Sequence, residues 1–199
     1  MATISEFKGN MTEGGARPNQ FKIQLNFPLW VNNGITAGQT TQFLCKASSL
    51  PASIIENIGI HYRGRQVNFA GERTFQPWTM TIYNDNNFLV RDAFERWQTG
   101  VQNYTATNGI LNPIVYQTQL NAYQLDRNDR VVKHYVLIDA YPTVVSDIKL
   151  DFDAQNQIET FDVEFHYNYF VSNSTDSAIG GAVGGGILGA VTGAIAGAI

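Results

Sequence analysis

The segment from Phe161 to Tyr169 alternates strictly between large apolar side chains and polar ones. The apolar positions are Phe161, Val163, Phe165, Tyr167 and Tyr169. The polar positions between them are Asp162, Glu164, His166 and Asn168. Because successive side chains of a strand point to opposite faces of a sheet, this pattern predicts one long strand with one face buried.

The same period of two recurs elsewhere between turn signals. It appears in residues 21–27 and 78–83, and we also predict strands over 41–47 and 131–140. Residues 32–39 and 105–112 are rich in Gly, Asn and Thr, so we predict loops there.

One segment changes to a helical period. Its apolar residues are Val90, Ala93, Phe94, Trp97 and Val101. Residues 84–87 offer N-cap side chains, and a glycine at position 100 is a candidate stop. We therefore expect a mainly β domain, an antiparallel sandwich or barrel, with one helix packed on it.

Composition narrows the class of function. Only 15% of the 199 residues are charged, against about 25% in an average globular protein, so neighbouring molecules are expected to cover much of the surface. The formal net charge of −4 argues against a protein that grips DNA, since phosphate binding needs clustered Lys and Arg. The single cysteine, Cys45, allows no intrachain disulfide, and the N-terminus lacks the pattern of a signal peptide.

No group of residues predicts catalysis. The three histidines have no Cys or His partner at metal-ligand spacing, and no serine lies in a Gly-x-Ser-x-Gly turn. We therefore predict no catalytic residue, no metal site and no cofactor, and we do not expect an enzyme.

The C-terminal residues 177–199 differ in composition from the rest of the chain. From Ala178 to Ile199 they carry no charge, and glycine recurs at every fourth position from Gly181 to Gly197. This length and spacing are compatible with a membrane helix. However, the high glycine content and the lack of flanking Lys or Arg favour a flexible or neighbour-packed extension.

A set of short motifs occurs in a fixed order along the chain. In sequence order they are Ala16–Asn19, Phe43–Ala47, Leu50-Pro51, Arg63–Arg65, Ala70–Phe75, Trp78-Thr79, Asn84-Asp85, Trp97, Tyr141–Thr143, Ile148–Asp151, Asn156 and Ile158–Phe161. From about Ala16 to Phe170 the chain thereby resembles the tail tube proteins of contractile-tailed bacteriophages. We therefore predict a tube domain over 1–176 with an N-terminal arm over 1–20, whereas the extension 177–199 departs from the family pattern and is inferred from composition alone.

The resemblance also implies an assembly and its partners. Family members form hexameric rings with a continuous inner β-barrel, and the rings stack into a tube inside a contractile sheath. The implied partners are other copies of the chain, the tail sheath, baseplate and tail-terminator proteins, a tape measure protein in the lumen, and genomic DNA in passage. We expect assembly in the bacterial cytoplasm and a place in the virion tail.

Two groups of residues are candidates for contacts in such a tube. Arg63, Arg65 and Arg73 are expected to pair with acids of a neighbouring subunit, and the segment Pro51–Phe75 is the candidate arm toward the next ring. The polar positions Asp162, Glu164, His166 and Asn168 are expected to line the lumen, with the sheath-facing surface as the competing assignment.

Three alternatives stay open at this point. The chain could be a tube relative from a secretion or contractile injection system, which passes protein in place of DNA. It could be a baseplate-proximal paralogue that initiates the tube. It could also be a β-domain anchored in a membrane by its C-terminal apolar segment.

Overall fold

An antiparallel sheet of seven strands forms the frame of the computed structural model, which describes residues 3–11 and 15–173. The strand order is β1-β6-β7-β8-β5-β2, and β9 also pairs with β7. These strands are β1 (Phe21–Leu25), β2 (Cys45–Ser48), β5 (Trp78–Tyr83), β6 (Thr118–Leu125), β7 (Val131–Val145), β8 (Thr160–His166) and β9 (Tyr169–Ser172). The two remaining strands form a separate hairpin, β3 (Ser53–Tyr62) with β4 (Arg65–Phe75).

Four helices accompany the strands in the described ranges. They are α1 (Ile4–Asn10), α2 (Gly34–Leu44), α3 (Leu89–Val101) and α4 (Pro113–Tyr116). The predicted mainly β, antiparallel fold class is therefore confirmed. Helix α1 lies within the expected N-terminal arm, whereas the expected extension 177–199 lies outside the described residues.

The core lies between the sheet and helix α3. Phe94 of α3 packs against Phe27 at 4.9 Å and against Phe165 at 5.8 Å between ring centroids. Trp97 is fully buried, and its indole N–H donates a 2.8 Å hydrogen bond to the Tyr116 carbonyl, so the polar atom of this ring has a partner. The predicted helix is confirmed.

The predicted ends of α3 are wrong in detail. Its N-cap is Phe88, in the left-handed region with φ 54°, and no side chain caps the helix. Gly100 lies inside the helix, and the ring of Trp30 occupies the space where a Cβ at this position would project. The glycine therefore permits a close approach and does not end the helix.

The predicted long strand 161–169 is interrupted, which corrects the sequence prediction. It ends as β8 at His166, and β9 begins at Tyr169. At the bend, Asn168 donates its backbone N–H to the Ile138 carbonyl at 3.1 Å and its side-chain amide to Asp139 at 2.9 Å. Asp139 has a φ of 57°, so β7 and the adjacent segment between β8 and β9 depart from regular strand geometry at the same place.

Helix α2 occupies residues for which a loop and the start of a strand were predicted, so both predictions are wrong there. Its buried residues are small and recur at helical spacing: Gly34, Ala37, Gly38 and Thr41. A Cβ at Gly38 would overlap the carbonyl oxygen of Leu25, so α2 packs directly on β1. Of the predicted strand 41–47, only residues 45–47 are extended, as the start of β2, whereas the predicted loop 105–112 is confirmed.

Among the described residues, no helix is both long and apolar enough to cross a membrane.

Candidate assembly surfaces

The β3–β4 hairpin projects as an exposed arm. All ten residues of β3 are exposed, so no other described part of the chain covers this strand. Tyr62 and Arg65 are paired across a two-residue turn in which Arg63 and Gly64 both have positive φ, 46° and 77°. Such turns match the right-handed twist of a hairpin, which explains the glycine at the second position.

One face of this hairpin is apolar although it is exposed. Directly paired residues such as Ile58 and Phe69 share a face, and that face recurs at every second position. Its apolar members are 43–63% exposed: Ile54, Ile58, Ile60, Tyr62, Val67 and Phe69. We call this set the apolar hairpin face.

The opposite face of the hairpin is polar. Between Asn57 and Ala70 it carries His61, Gln66 and Asn68, and the Asn57 side chain donates a 3.1 Å hydrogen bond to that of Asn68. Two strands with one apolar and one polar face are the pattern of a sheet that is covered on one side only.

The predicted arginine group is only partly brought together. Arg63 and Arg65 flank Gly64 at the tip, with the Arg63 guanidinium carbon 5.4 Å from the centre of the Tyr62 ring. Arg73 lies nearer the base of the hairpin, opposite Ile55. Within the described residues none of the three forms an ion pair, so each is available to an external acid.

The predicted lumen residues of β8 lie on the side of the sheet away from α3. Phe161, Val163 and Phe165 are buried toward the helix, whereas Asp162 and His166 are exposed on the other side. Asn168 lies at the bend after β8, so it does not belong to the regular strand face with the other three.

These β8 side chains have weak local partners. The Thr81 hydroxyl donates a 2.6 Å hydrogen bond to the Asp162 carboxylate, which orders one acid on the sheet. The His166 ring nitrogen lies 3.8 Å from the Glu164 carboxylate, and both side chains are substantially exposed. The result is a polar and partly acidic strip, with no basic cluster that would bind phosphate.

The face of β6 and β7 that points away from the core carries a second polar group, which the sequence analysis missed. The rings of Tyr123 and His134 are stacked at 4.3 Å, and a His134 ring nitrogen lies 3.0 Å from the Asn121 side-chain oxygen. Partial burial lowers the pKa of His134 and raises the pKa of Tyr123. Burial thus favours the neutral form of both rings.

Residues 147–159, which join β7 to β8, form a further surface that the sequence analysis missed. We call them the acidic loop, because Asp147, Asp151, Asp153 and Glu159 accompany a single lysine. Leu150, Phe152 and Ile158 in this loop are at least 69% exposed. The available signal was three large apolar residues in a stretch otherwise typical of a polar turn.

Comparisons with known proteins agree with the resemblance. Residues 16–173 match a family model described as phage tail tube protein. Tail tube protein gp19 of Enterobacteria phage T4 is 34% identical over 158 residues, which cover 78% of this chain and 90% of that protein. The tail tube protein of Serratia phage KSP90 is 28% identical over 177 residues, or 87% and 98% of the two chains.

A solved structure has the same fold at low identity. A chain in the cryo-EM structure of the anti-feeding prophage cap, a tube-terminating cap, superposes with a TM-score of 0.60 at 12% identity. The match covers 80% of this chain and 91% of that one.

Proposed function

Because this chain belongs to the phage tail tube protein family and is a structural tube subunit of contractile phage tails, we propose that it forms hexameric rings that stack into the inner tube of the tail. The tail sheath surrounds this tube, and baseplate and terminator proteins close its ends. A tape measure protein occupies the lumen before DNA passes through it. The subunits are made and assembled in the host cytoplasm and reside in the virion tail.

The main observation that supports the proposal is the exposed apolar hairpin face. A monomer would keep six large apolar side chains in water, and covering the exposed half of one Ile or Phe side chain gives on the order of 1 kcal/mol. A neighbouring subunit is the natural cover, because the hairpin extends beyond its own core. The hairpin is accordingly the arm that reaches the next ring.

The edges of the main sheet support ring closure. Strands β1 and β2 end the strand order, and each pairs with one neighbour only. Unpaired strand edges attract other strands, and closing several sheets around a ring removes them. Six subunits joined in this way produce the continuous inner barrel.

The polar side of β8 then faces the lumen. Helix α3 covers the other side of the sheet, so it faces outward toward the sheath. An acidic strip in a chain with a net charge of −4 repels phosphate, which lets DNA pass without being held.

The experiment is electron microscopy of the full-length protein over a concentration series, with two hairpin variants. We expect hollow six-fold rings and tubes from the native sequence. Ile58→Thr/Phe69→Thr removes a directly paired couple from the apolar hairpin face, so tubes should be lost while the unfolding temperature of the subunit stays nearly unchanged.

The matched control is His61→Thr/Gln66→Thr, a directly paired couple on the polar face of the same strands, which should still form tubes. Tubes from the Ile58/Phe69 variant at the native frequency would remove the hairpin from the interface. A native protein that stays monomeric at all concentrations would contradict self-assembly itself.

A further inference from the structure

We propose that the basic tip of the hairpin in one subunit binds the acidic loop of a second copy, so that stacking joins opposite ends of the two subunits. This inference rests on the proposed function, and it names the partner surface that receives the arm. The occupant of the acidic loop is thus another copy of this same chain.

The two surfaces leave the sheet at opposite ends of the same strand pair. At one end strand β4 of the hairpin ends at Phe75, directly before β5, and the Gln76 N–H donates a 3.1 Å hydrogen bond to the Ala52 carbonyl at the base of the hairpin. At the other end Tyr83 pairs with Thr160, and the Asn84 N–H donates to the Glu159 carbonyl at 2.9 Å. Moving a copy along the strand direction therefore brings its hairpin toward the acidic loop of the next copy.

The charges of the two surfaces are complementary. The tip presents Arg63 and Arg65, both exposed. The acidic loop presents four carboxylates against Lys149, and all of these residues are exposed as well. None of the charged side chains of the loop forms an ion pair within the described part of the chain, although Glu159 accepts a 3.0 Å hydrogen bond from the Asn84 side-chain amide and Asp151 accepts one from the Asp153 N–H. Asp147 and Asp153 are therefore the carboxylates offered to a neighbouring subunit.

Both surfaces also present apolar side chains beside their charges. Leu150, Phe152 and Ile158 project from the loop, and the apolar hairpin face lies next to the arginines. A strand of ten residues is about 30 Å long, so the arm can pass beyond its own subunit. Contact would bury apolar area at the centre and leave charged pairs around it, as in ordinary protein interfaces.

The alternative pairing of hairpin with hairpin is disfavoured by charge. It would place the Arg63 and Arg65 side chains of two copies against each other, which costs free energy without an acid between them. A contact between two different surfaces at opposite ends repeats without limit along one axis. That is the geometry a stack of identical rings requires.

Charge reversal tests the contact in the full-length protein. Arg63→Glu/Arg65→Glu alters the tip, and Asp147→Lys/Asp153→Lys alters the loop while preserving the Asp151 side chain that accepts the backbone N–H of residue 153. Each double variant alone should lower the stacking equilibrium constant roughly tenfold or more, measured by pelleting of tubes and by their length in electron micrographs. Mixing the two variants, or combining all four changes in one chain, should restore stacking.

The matched control is Arg127→Glu/Arg130→Glu in the exposed turn between β6 and β7, which should stack like the native protein. Native stacking by either double variant would overturn the contact while leaving the tube role intact. So would stacking that neither the mixture nor the combined variant recovers. If the native chain formed no rings, the proposed function would fail instead, and sedimentation of the same mixtures would still show whether the two surfaces bind.

Discussion

Cys45 begins strand β2 with its side chain largely enclosed by neighbours. Burial raises the pKa of this thiol to about 11 from its usual 9.0, because the thiolate loses its hydration there. The thiol is thus poorly reactive toward electrophiles and disulfides.

The native protein should therefore react slowly with thiol reagents. At pH 8 we expect labelling by a disulfide reagent to be roughly a hundredfold slower than in the denatured chain, since the thiolate fraction falls about tenfold for each unit of pKa. The reaction rate of the native protein should keep rising with pH up to about 11, followed by absorbance in a stopped-flow experiment. Equal rates for native and denatured protein would contradict the burial.

The same thiol has a defined effect on stability. The pKa of the thiol is higher in the folded protein than in the unfolded chain, so the unfolded chain ionises first as pH rises. The contribution of the thiol to the free energy of unfolding is therefore constant below pH 9.0 and is lost as pH rises toward 11.

The predictions at individual residues succeeded where one local rule decides the outcome. Alternation placed Asp162 and Glu164 on the polar side of the sheet, because the period of a strand depends only on the backbone. The same rule failed for Asn168, since a bend shared with Asp139 on β7 interrupts the strand. The bend depends on a contact with a segment of β7 about thirty residues away in sequence, which the local alternation of side chains cannot show.

Among the elements, the two long helices differ in how readily the sequence predicts them. Helix α3 buries Phe94 and Trp97 and has a strong amphipathic pattern. Helix α2 instead buries small residues, so no hydrophobic period marks it, and its glycines favour a loop on propensity alone. Its helical state comes from tertiary packing on β1, which overrides local preference.

The packing of α3 on Trp30 makes Gly100 a sensitive position. In an exposed helix interior, replacing glycine with alanine stabilises by about 1 kcal/mol. Here the new methyl group would overlap the Trp30 ring, so we expect Gly100→Ala to destabilise the subunit by about 1–3 kcal/mol. Denaturant unfolding followed by tryptophan fluorescence measures this change.

Gly9→Ala in α1 is the matched control. No atom lies within 4 Å of a Cβ built at this position, so the same substitution should leave stability unchanged or slightly higher. If Gly100→Ala also stabilised the protein, the close approach of Trp30 would be wrong.

At the scale of the whole molecule, the apolar hairpin face and the apolar residues of the acidic loop are exposed in the subunit, and we expect other subunits to cover them. The motif order identified the family, and the low charged fraction indicated covered surfaces. Neither could show that the hairpin and the acidic loop lie at opposite ends of the sheet, because that follows from how β5 and β8 are paired. The stacking contact is accordingly a property of the fold and not of any single motif.

The orientation of the subunit in the tube can be tested through DNA ejection. Asp162→Lys/Glu164→Lys converts the polar strip of β8 into a basic one. If this strip lines the lumen, bound phosphates should slow ejection from phage particles roughly tenfold or more at low salt, and the effect should weaken as salt is raised. Electron microscopy must first show intact tubes, since the change also removes the hydrogen bond from Thr81.

The control carries the same change of charge on the other side of the sheet. The control variant is Asp92→Lys/Glu95→Lys. Both acids lie on the solvent side of α3, where each pairs with an arginine one helical turn away. With intact tubes, this variant should eject DNA at the native rate, because α3 is expected to face the sheath. Slow ejection from the α3 variant together with native ejection from the β8 variant would reverse the assignment and place the helix at the lumen.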